Sequence, residues 1–244
     1  FNSTRILPLF KDPKTNKVRP ATVPSRLLCL SQAILSAEHS KDVAELVYPY
    51  NTGIVPNGPL RISGGITIHK ELNDKKVEAG EVTDGKVIVF GDIQNAYNTI
   101  SSKMIAKSMK EKLPEAYRFH RLFSSLPKRA VAVRGSHVTE LGFSIEEGIL
   151  QGITFSSETF ILCFTEVIEW ADKKIKEFEG KDSSSFARAG WDDYTIMCEI
   201  ETYHKLHPLL INKLVEYNLK LAPGKSEYYA HASDRFKPNF TSLN

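Results

Sequence analysis

The sequence predicts an α+β fold, with an antiparallel sheet that carries acids at its strand ends and helices packed behind it. Three observations predict it. Lys86-Val87-Ile88-Val89-Phe90-Gly91-Asp92-Ile93 is a short apolar run of the kind that forms a buried strand, and an acid stands at its end. Ala189-Gly190-Trp191-Asp192-Asp193-Tyr194-Thr195-Ile196-Met197-Cys198 reads as a tight hairpin with two adjacent acids at its turn. Ser184 to Arg188 leads in, and Tyr194 to Ile200 leads out with β-branched and aromatic residues. Between these stretches, Phe155, Thr159, Leu162, Cys163, Glu166, Val167, Trp170 and Ala171 keep the spacing of one long helix.

The remaining elements follow in order. Leu7 to Pro20 reads as two short strands around a polar turn, in which Asp12-Pro13 and Thr15-Asn16 supply turn chemistry. That hairpin carries Lys11 near one base and Arg19 on the return strand. Ser25 to Leu46 has helical periodicity. Asn51 to Pro59 is a loop dense in Gly and Pro, Ile66 to Leu72 is a short helix, and Asp74 to Gly85 is a polar connection. Gly64-Gly65 has no GxGxxG spacing and is not a nucleotide-binding motif. Ser101 to Lys112 is a helix that Ser101 or Ser102 caps, and Ala116 to Leu126 is another. Arg129 to Gly135 and Val138 to Phe143 form a second hairpin, flanked by Arg129 and Arg134. After the Gly148-to-Gly152 turn and the long helix, Glu201 to Tyr217 is helical and Glu227 to Ala230 is a strand.

Composition excludes several classes. Among 244 residues the apolar and charged fractions are those of an ordinary globular protein, and no run is long and apolar enough to span a membrane. Cys29, Cys163 and Cys198 are isolated, so neither a disulfide framework nor a zinc cluster is indicated. His204 and His207 read as surface residues. The chain starts at Phe1 and has no signal-peptide pattern, which suggests a fragment of a longer protein. A net charge of +3 says little, but its distribution says more. Phe1 to Leu30 holds six bases against one acid, and Lys103 to Arg134 nine against two. Glu140 to Glu201 holds fourteen acids against five bases. Blocks of one sign suggest a basic surface for phosphate backbones beside an acidic, metal-holding region.

An Asp-Asp pair alone is more often a solvated turn than a site, because Asp favours turns. Asp92 changes the weighing. It adds a third acid at a strand end, and crowded like charges are costly unless a proton or cation relieves them. A divalent metal is the usual relief where all the ligands are oxygens. Three such acids suit two magnesium ions, which at about 3.5–4 Å apart activate an attacking oxygen and stabilise a leaving one.

Four stretches in this order resemble the palm motifs of reverse transcriptases. Asp92-Ile93-Gln94-Asn95-Ala96-Tyr97-Asn98 is similar to the first, an Asp followed five residues on by an aromatic. Gly148-Ile149-Leu150-Gln151-Gly152 is similar to the second, Trp191-Asp192-Asp193 to the third, and Leu219 to Glu227, with its Lys225, to the fourth. The Asn-Ala-aromatic-Asn wording is nearest to non-LTR retroelement enzymes. Two departures stand out: Ile153-Thr154-Phe155-Ser156-Ser157 replaces the usual Asp-Pro-Leu-Ser-Pro, and Trp191 is bulky where the family has a smaller residue.

The resemblance implies a right-hand polymerase architecture. Residues 1–85 would be fingers and residues 86–235 palm, with 101–145 contributing to the fingers. Residues 236–244 would begin the connection to a thumb that is largely absent. Asp92 and Asp192 would be the principal ligands of two Mg2+ ions, with Mn2+ as the alternative. Ile93 would add its backbone carbonyl, and Asp193 would be a weaker ligand. Lys11 and Arg19 would hold the incoming triphosphate, and Gln151 and Gly152 would contact the nucleotide. Tyr97 would lie beneath its sugar and exclude a 2′-hydroxyl, and Lys225 would sit near the leaving pyrophosphate. The implied activity is RNA-directed DNA synthesis from an RNA template, a DNA or RNA primer and dNTPs, within a longer polyprotein and without a membrane. A eukaryotic retroelement would place it in the nucleus. Two alternatives remain at this point: a domesticated palm that only binds RNA, and a viral RNA-dependent RNA polymerase. The second usually has another acid where Tyr97 stands and Gly-Asp-Asp where this chain has Trp191-Asp192-Asp193.

Overall fold

Val87, Ile88 and Val89 are buried on both faces of their strand, as a continuous apolar run requires. The computed structural model around them describes residues 3–12, 17–23, 25–81, 85–124, 129–134, 137–144 and 146–230. In chain order the first elements are β1 (Ser3–Asp12), β2 (Lys17–Val23), α1 (Arg26–Val47), α2 (Gly58–Glu78), β3 (Lys86–Gly91) and α3 (Ala96–Thr99). They are followed by α4 (Ser102–Lys112), α5 (Pro114–Ser124), β4 (Arg129–Arg134), β5 (His137–Ser144) and α6 (Ser156–Glu179). The last are β6 (Phe186–Gly190), β7 (Asp193–Glu199), α7 (Ile200–Glu216), a 3₁₀ turn at Pro223–Lys225 and β8 (Glu227–Ala230). The chain clusters into one unit of Phe1–Val43 with Tyr97–Phe160, and another of Ala44–Ala96 with Ile161–Asn244.

The first unit holds a four-stranded sheet of order β2-β1-β4-β5. The β1–β2 hairpin is antiparallel, pairing Leu9 with Arg19, and its register slips between Phe10 and Asp12. Lys11 therefore occupies a β-bulge, where one strand carries an extra residue. The turn residues 13–16 lie outside the described residues, as do Gly135 and Ser136. β1 runs parallel to β4, and β4 antiparallel to β5. Ser101 caps α4, its hydroxyl accepting from the Met104 N–H at 3.4 Å. The α4 face that carries Ile105 and Met109 is buried. The hydroxyls of Ser36 and Ser40 both donate to the buried Glu158 carboxylate at 2.7 Å, which satisfies an acid at the start of α6.

The second unit holds an antiparallel sheet of order β6-β7-β3-β8. β7 and β3 are central, and β7 is buried from Tyr194 to Cys198. Phe164, Val167, Ile168, Ala171 and Ile175 of α6 are buried, as are Tyr203, Leu206, Leu210 and Leu214 of α7. Burying each large apolar side chain contributes about 1.5–3 kcal/mol. Polar contacts fix the register of helix on sheet: Asp172 of α6 accepts from the Ala187 N–H at 2.9 Å and pairs with Arg188 at 2.7 Å. The Tyr217 hydroxyl donates to Glu166 at 2.8 Å.

Two expectations need correction. α2 spans Gly58–Glu78, so it extends the expected Ile66–Leu72 helix in both directions and takes in Gly58, Pro59 and Asp74 to Glu78, residues read as loop. Pro59 at its first turn favours helix entry, while Gly64 and Gly65, which face open space, hid it in the sequence by their low propensity. His207 is half-buried, and its ring nitrogen meets the Tyr203 hydroxyl at 3.1 Å. His204 is exposed, as expected. Cys29, Cys163 and Cys198 are all free thiols. Among the described residues, no helix is long and apolar enough to cross a membrane.

Candidate active site

The acids meet at one end of the second unit's sheet. β3 pairs with β7 so that Gly91 lies opposite Tyr194. Asp92 immediately follows β3, and Asp193 begins β7. Gly190 pairs with Asp193, which leaves Trp191 and Asp192 as a two-residue turn. Tyr194 explains why position 91 is glycine: a Cβ there would stand 2.1 Å from the tyrosine ring. The ring is 2% exposed.

The electrostatics follow from this packing. Partial desolvation at the sheet end holds the Asp193 carboxyl above its ordinary range, and the charges of Asp192 and Asp92 add to the effect. Lys225, at the end of the 3₁₀ turn, opposes the shift. Its ammonium pairs directly with Asp92 Oδ2. The Ala222 N–H donates to the Asp92 carbonyl, and the Gln94 N–H to the Lys220 carbonyl, both at 2.8 Å. Ile93 sits between these two bonds, opposite Leu221, and its own carbonyl takes part in neither.

The first unit holds the other candidates. The Tyr97 ring is half-buried and stacks on Phe160, with ring centroids 4.5 Å apart and planes at 21°. Its carbonyl accepts from the Ile149 N–H at 2.6 Å. Gln151 is half-buried and Gly152 exposed, in the turn that leads to α6. Gly152 has φ +100°, a conformation that suits glycine and lets a ligand approach the backbone. Arg19 lies within β2 and Lys11 within β1.

Among the described residues, no group of three or more His, Cys, Asp or Glu is drawn together tightly enough to cage an ion. The residues do fit a divalent cation in chemistry and charge. The ligands on offer are oxygens, three acids stand at one end of the sheet, and a lysine ammonium already pairs with one of them.

Two positions escaped the sequence reading. Gly148 has φ +79°, and a Cβ there would come within 2.4 Å of the Asn98 carbonyl oxygen. Asn51 reaches both backbone polar groups of Trp191. A glycine inside a motif is a visible signal, whereas a lone asparagine in a Gly/Pro-rich loop is not.

A family model described as reverse transcriptase (RNA-dependent DNA polymerase) matches residues 11–237. No curated protein matches. Among solved structures, telomerase from Candida albicans in complex with a TWJ fragment of telomeric RNA superposes with a TM-score of 0.66 at 14% identity, covering 95% of this chain and 43% of that one. Apo telomerase from Candida tropicalis gives 0.66 at 9% identity, covering 96% and 44%. A form of it truncated from the C-terminal domain gives 0.64 at 11%, covering 94% and 50%. The chain thus spans half or less of the telomerases it resembles, and at these identities the likeness is one of fold. The acid-bearing antiparallel sheet, the motifs in order and a family match over most of the chain lead to one conclusion: this chain belongs to the reverse transcriptase (RNA-dependent DNA polymerase) family.

Proposed function

We propose that the chain is the fingers and palm of an RNA-directed DNA polymerase, extending a DNA or RNA primer with deoxynucleotides by two-metal catalysis. One observation carries the reading: Asp92 follows β3 where its neighbour Gly91 pairs with Tyr194, Asp193 begins β7 at that same end of the sheet, Asp192 stands in the adjoining turn, and Lys225 pairs with Asp92. Asp92, Asp192, the Ile93 carbonyl and, more weakly, Asp193 would hold magnesium, with manganese as a substitute. When bound, the metal lowers the pKa of the primer 3′-hydroxyl and neutralises the triphosphate. Arg19, with Lys11, holds the triphosphate, since a guanidinium suits bidentate phosphate contact. Lys225 turns from Asp92 toward the leaving pyrophosphate. Gln151 and the Gly152 backbone contact the nucleotide. Tyr97, held flat against Phe160, fills the space that a 2′-hydroxyl would need. Positioning and charge neutralisation supply most of the rate. The Asn95-Ala96-Tyr97-Asn98 wording favours a retroelement source, and a longer protein would supply the remaining domains.

The test is primer extension by the intact protein on matched RNA and DNA templates. Wild type is expected to extend on RNA with dNTPs, and Asp192→Asn to lose extension while keeping fold and template binding. Extension by Asp192→Asn within a few-fold of wild type overturns the two-metal assignment. RNA binding without any extension by wild type favours a palm that only binds RNA.

A further inference from the structure

The turn that presents Asp192 is held in an unfavourable conformation by a single side chain from far away in sequence. Trp191 has φ +60°, in the left-handed region that bulky residues avoid. Hairpin loops do use positive φ, but normally with Gly, Asn or Asp. Such a conformation persists only where the surroundings over-determine it.

Asn51 is the surrounding group that does so. Its Nδ2 donates to the Trp191 carbonyl at 3.0 Å, and its Oδ1 accepts from the Trp191 N–H at 3.3 Å. The same Oδ1 accepts from the Gly53 N–H at 3.0 Å. Asn51 is fully buried. Its own backbone is locked to β6, where it bridges Ala189. On either side, the Ala189 N–H donates to the Tyr50 carbonyl at 2.7 Å and the Thr52 N–H to the Ala189 carbonyl at 2.9 Å. Gly53 completes the fit, since a Cβ there would lie 2.7 Å from the Trp191 nitrogen. Only an amide offers a donor and an acceptor on one short planar group. Aspartate would lack the donor, and an aliphatic side chain would lack both.

Asp192 follows Trp191 directly, so rotation of the Trp191 peptide redirects it. We propose that Asn51 is a positioning residue: it fixes the left-handed Trp191 peptide and thereby the direction in which Asp192 presents its carboxylate. This rests on the reading of Asp192 as a catalytic carboxylate.

The test is a double-mutant cycle in single-turnover nucleotide addition by the intact protein, reading rate and amplitude separately. Asn51→Ala lowers the rate at least tenfold, while the amplitude and the apparent dNTP affinity stay near wild type. In a Trp191→Gly background the same change costs less than threefold, because glycine adopts positive φ unaided. Equal penalties in both backgrounds, or a fall in amplitude alone, overturn the proposal. If Trp191→Gly is too slow to time, thermal unfolding reads the same cycle, and an undiminished Asn51→Ala loss of Tm overturns it. Asp192→Asn in the same assay separates the two readings. If it is active, both fall. If it is inactive and the cycle is additive, only Asn51 fails.

Discussion

Two turns of this molecule adopt left-handed backbone by opposite means. The Gly148-to-Gly152 turn does it with glycines at φ +79° and +100°, so its conformation carries no side-chain strain. The Trp191–Asp192 turn does it with a tryptophan that is 41% exposed, clamped from outside by Asn51. Left-handed backbone at a non-glycine residue costs about 1–3 kcal/mol, so the second turn is a place where strain is stored and offset. The first turn needs its glycine for close approach: Gly148 rests on the carbonyls of Tyr97 and Asn98, and its N–H donates to the Ile100 carbonyl at 3.0 Å. One turn orders an acid through a distant amide, and the other orders Tyr97 through direct backbone contact.

The contrast predicts which turn tolerates change. Gly148→Ala meets both a positive φ and a backbone oxygen within 2.4 Å. It should destabilise the protein by about 3 kcal/mol, read as a fall in denaturant midpoint at constant m-value. A loss no larger than that of an ordinary surface substitution would show that the turn is not held by close approach.

Tyr97→Val sharpens the comparison at the side chain that the glycine turn supports. It should relax discrimination of dNTP over rNTP by at least tenfold, about 1.4 kcal/mol, while DNA synthesis persists. Single-nucleotide insertion with matched substrates reads this. Unchanged discrimination would mean that the Phe160 stack is packing alone, and would favour an RNA polymerase.

The smallest effect concerns charge at the clamped turn. The folded protein holds the Asp193 proton above the ordinary carboxylate range. At about pH 3, below that range, the side chain is protonated folded or unfolded and costs nothing. As pH rises through the range, the folded state alone bears the repulsion from Asp192 and Asp92. Asp193→Asn removes that repulsion. Without divalent ions, its Tm should match wild type at about pH 3, exceed it at about pH 7, and lose the advantage when magnesium is added. No gap at about pH 7 would show that the like charges are screened, and a gap that does not change with pH would show that ionisation of Asp193 is not its cause.

Much of this was legible in the chain because local pattern encodes it. The apolar run before Asp92 could only be a buried strand, and β3 forms there with Val87 to Val89 buried. The acids flanked by β-branched residues made a hairpin, but Gly190 pairs with Asp193, so only Asp192 of the two acids expected at the turn stands in it and Asp193 begins β7. The Ser101-Ser102 pair before an apolar-periodic stretch marked the start of α4, and the structure makes Ser101 the cap. α2 was not legible, because Gly64 and Gly65 weaken its propensity and Leu60, Ile68 and Leu72 on its surface blur its apolar face.

By itself the sequence determined that strand ends carry acids and, through the resemblance of four motifs in order, which family, since strand periodicity and motif wording are both local. Only the tertiary structure decided that Lys225 lies on Asp92, that Tyr97 is pressed flat on Phe160, and that Asn51 holds Trp191. Asn51 and Trp191 are 140 positions apart, as Lys225 and Asp92 are 133. Such pairings leave no mark on local pattern. They arise when β6 and the segment from Tyr50 to Thr52 pair, or when β8 and its preceding turn come alongside β3, and bring each side chain within hydrogen-bonding reach of a partner no neighbour in sequence could supply.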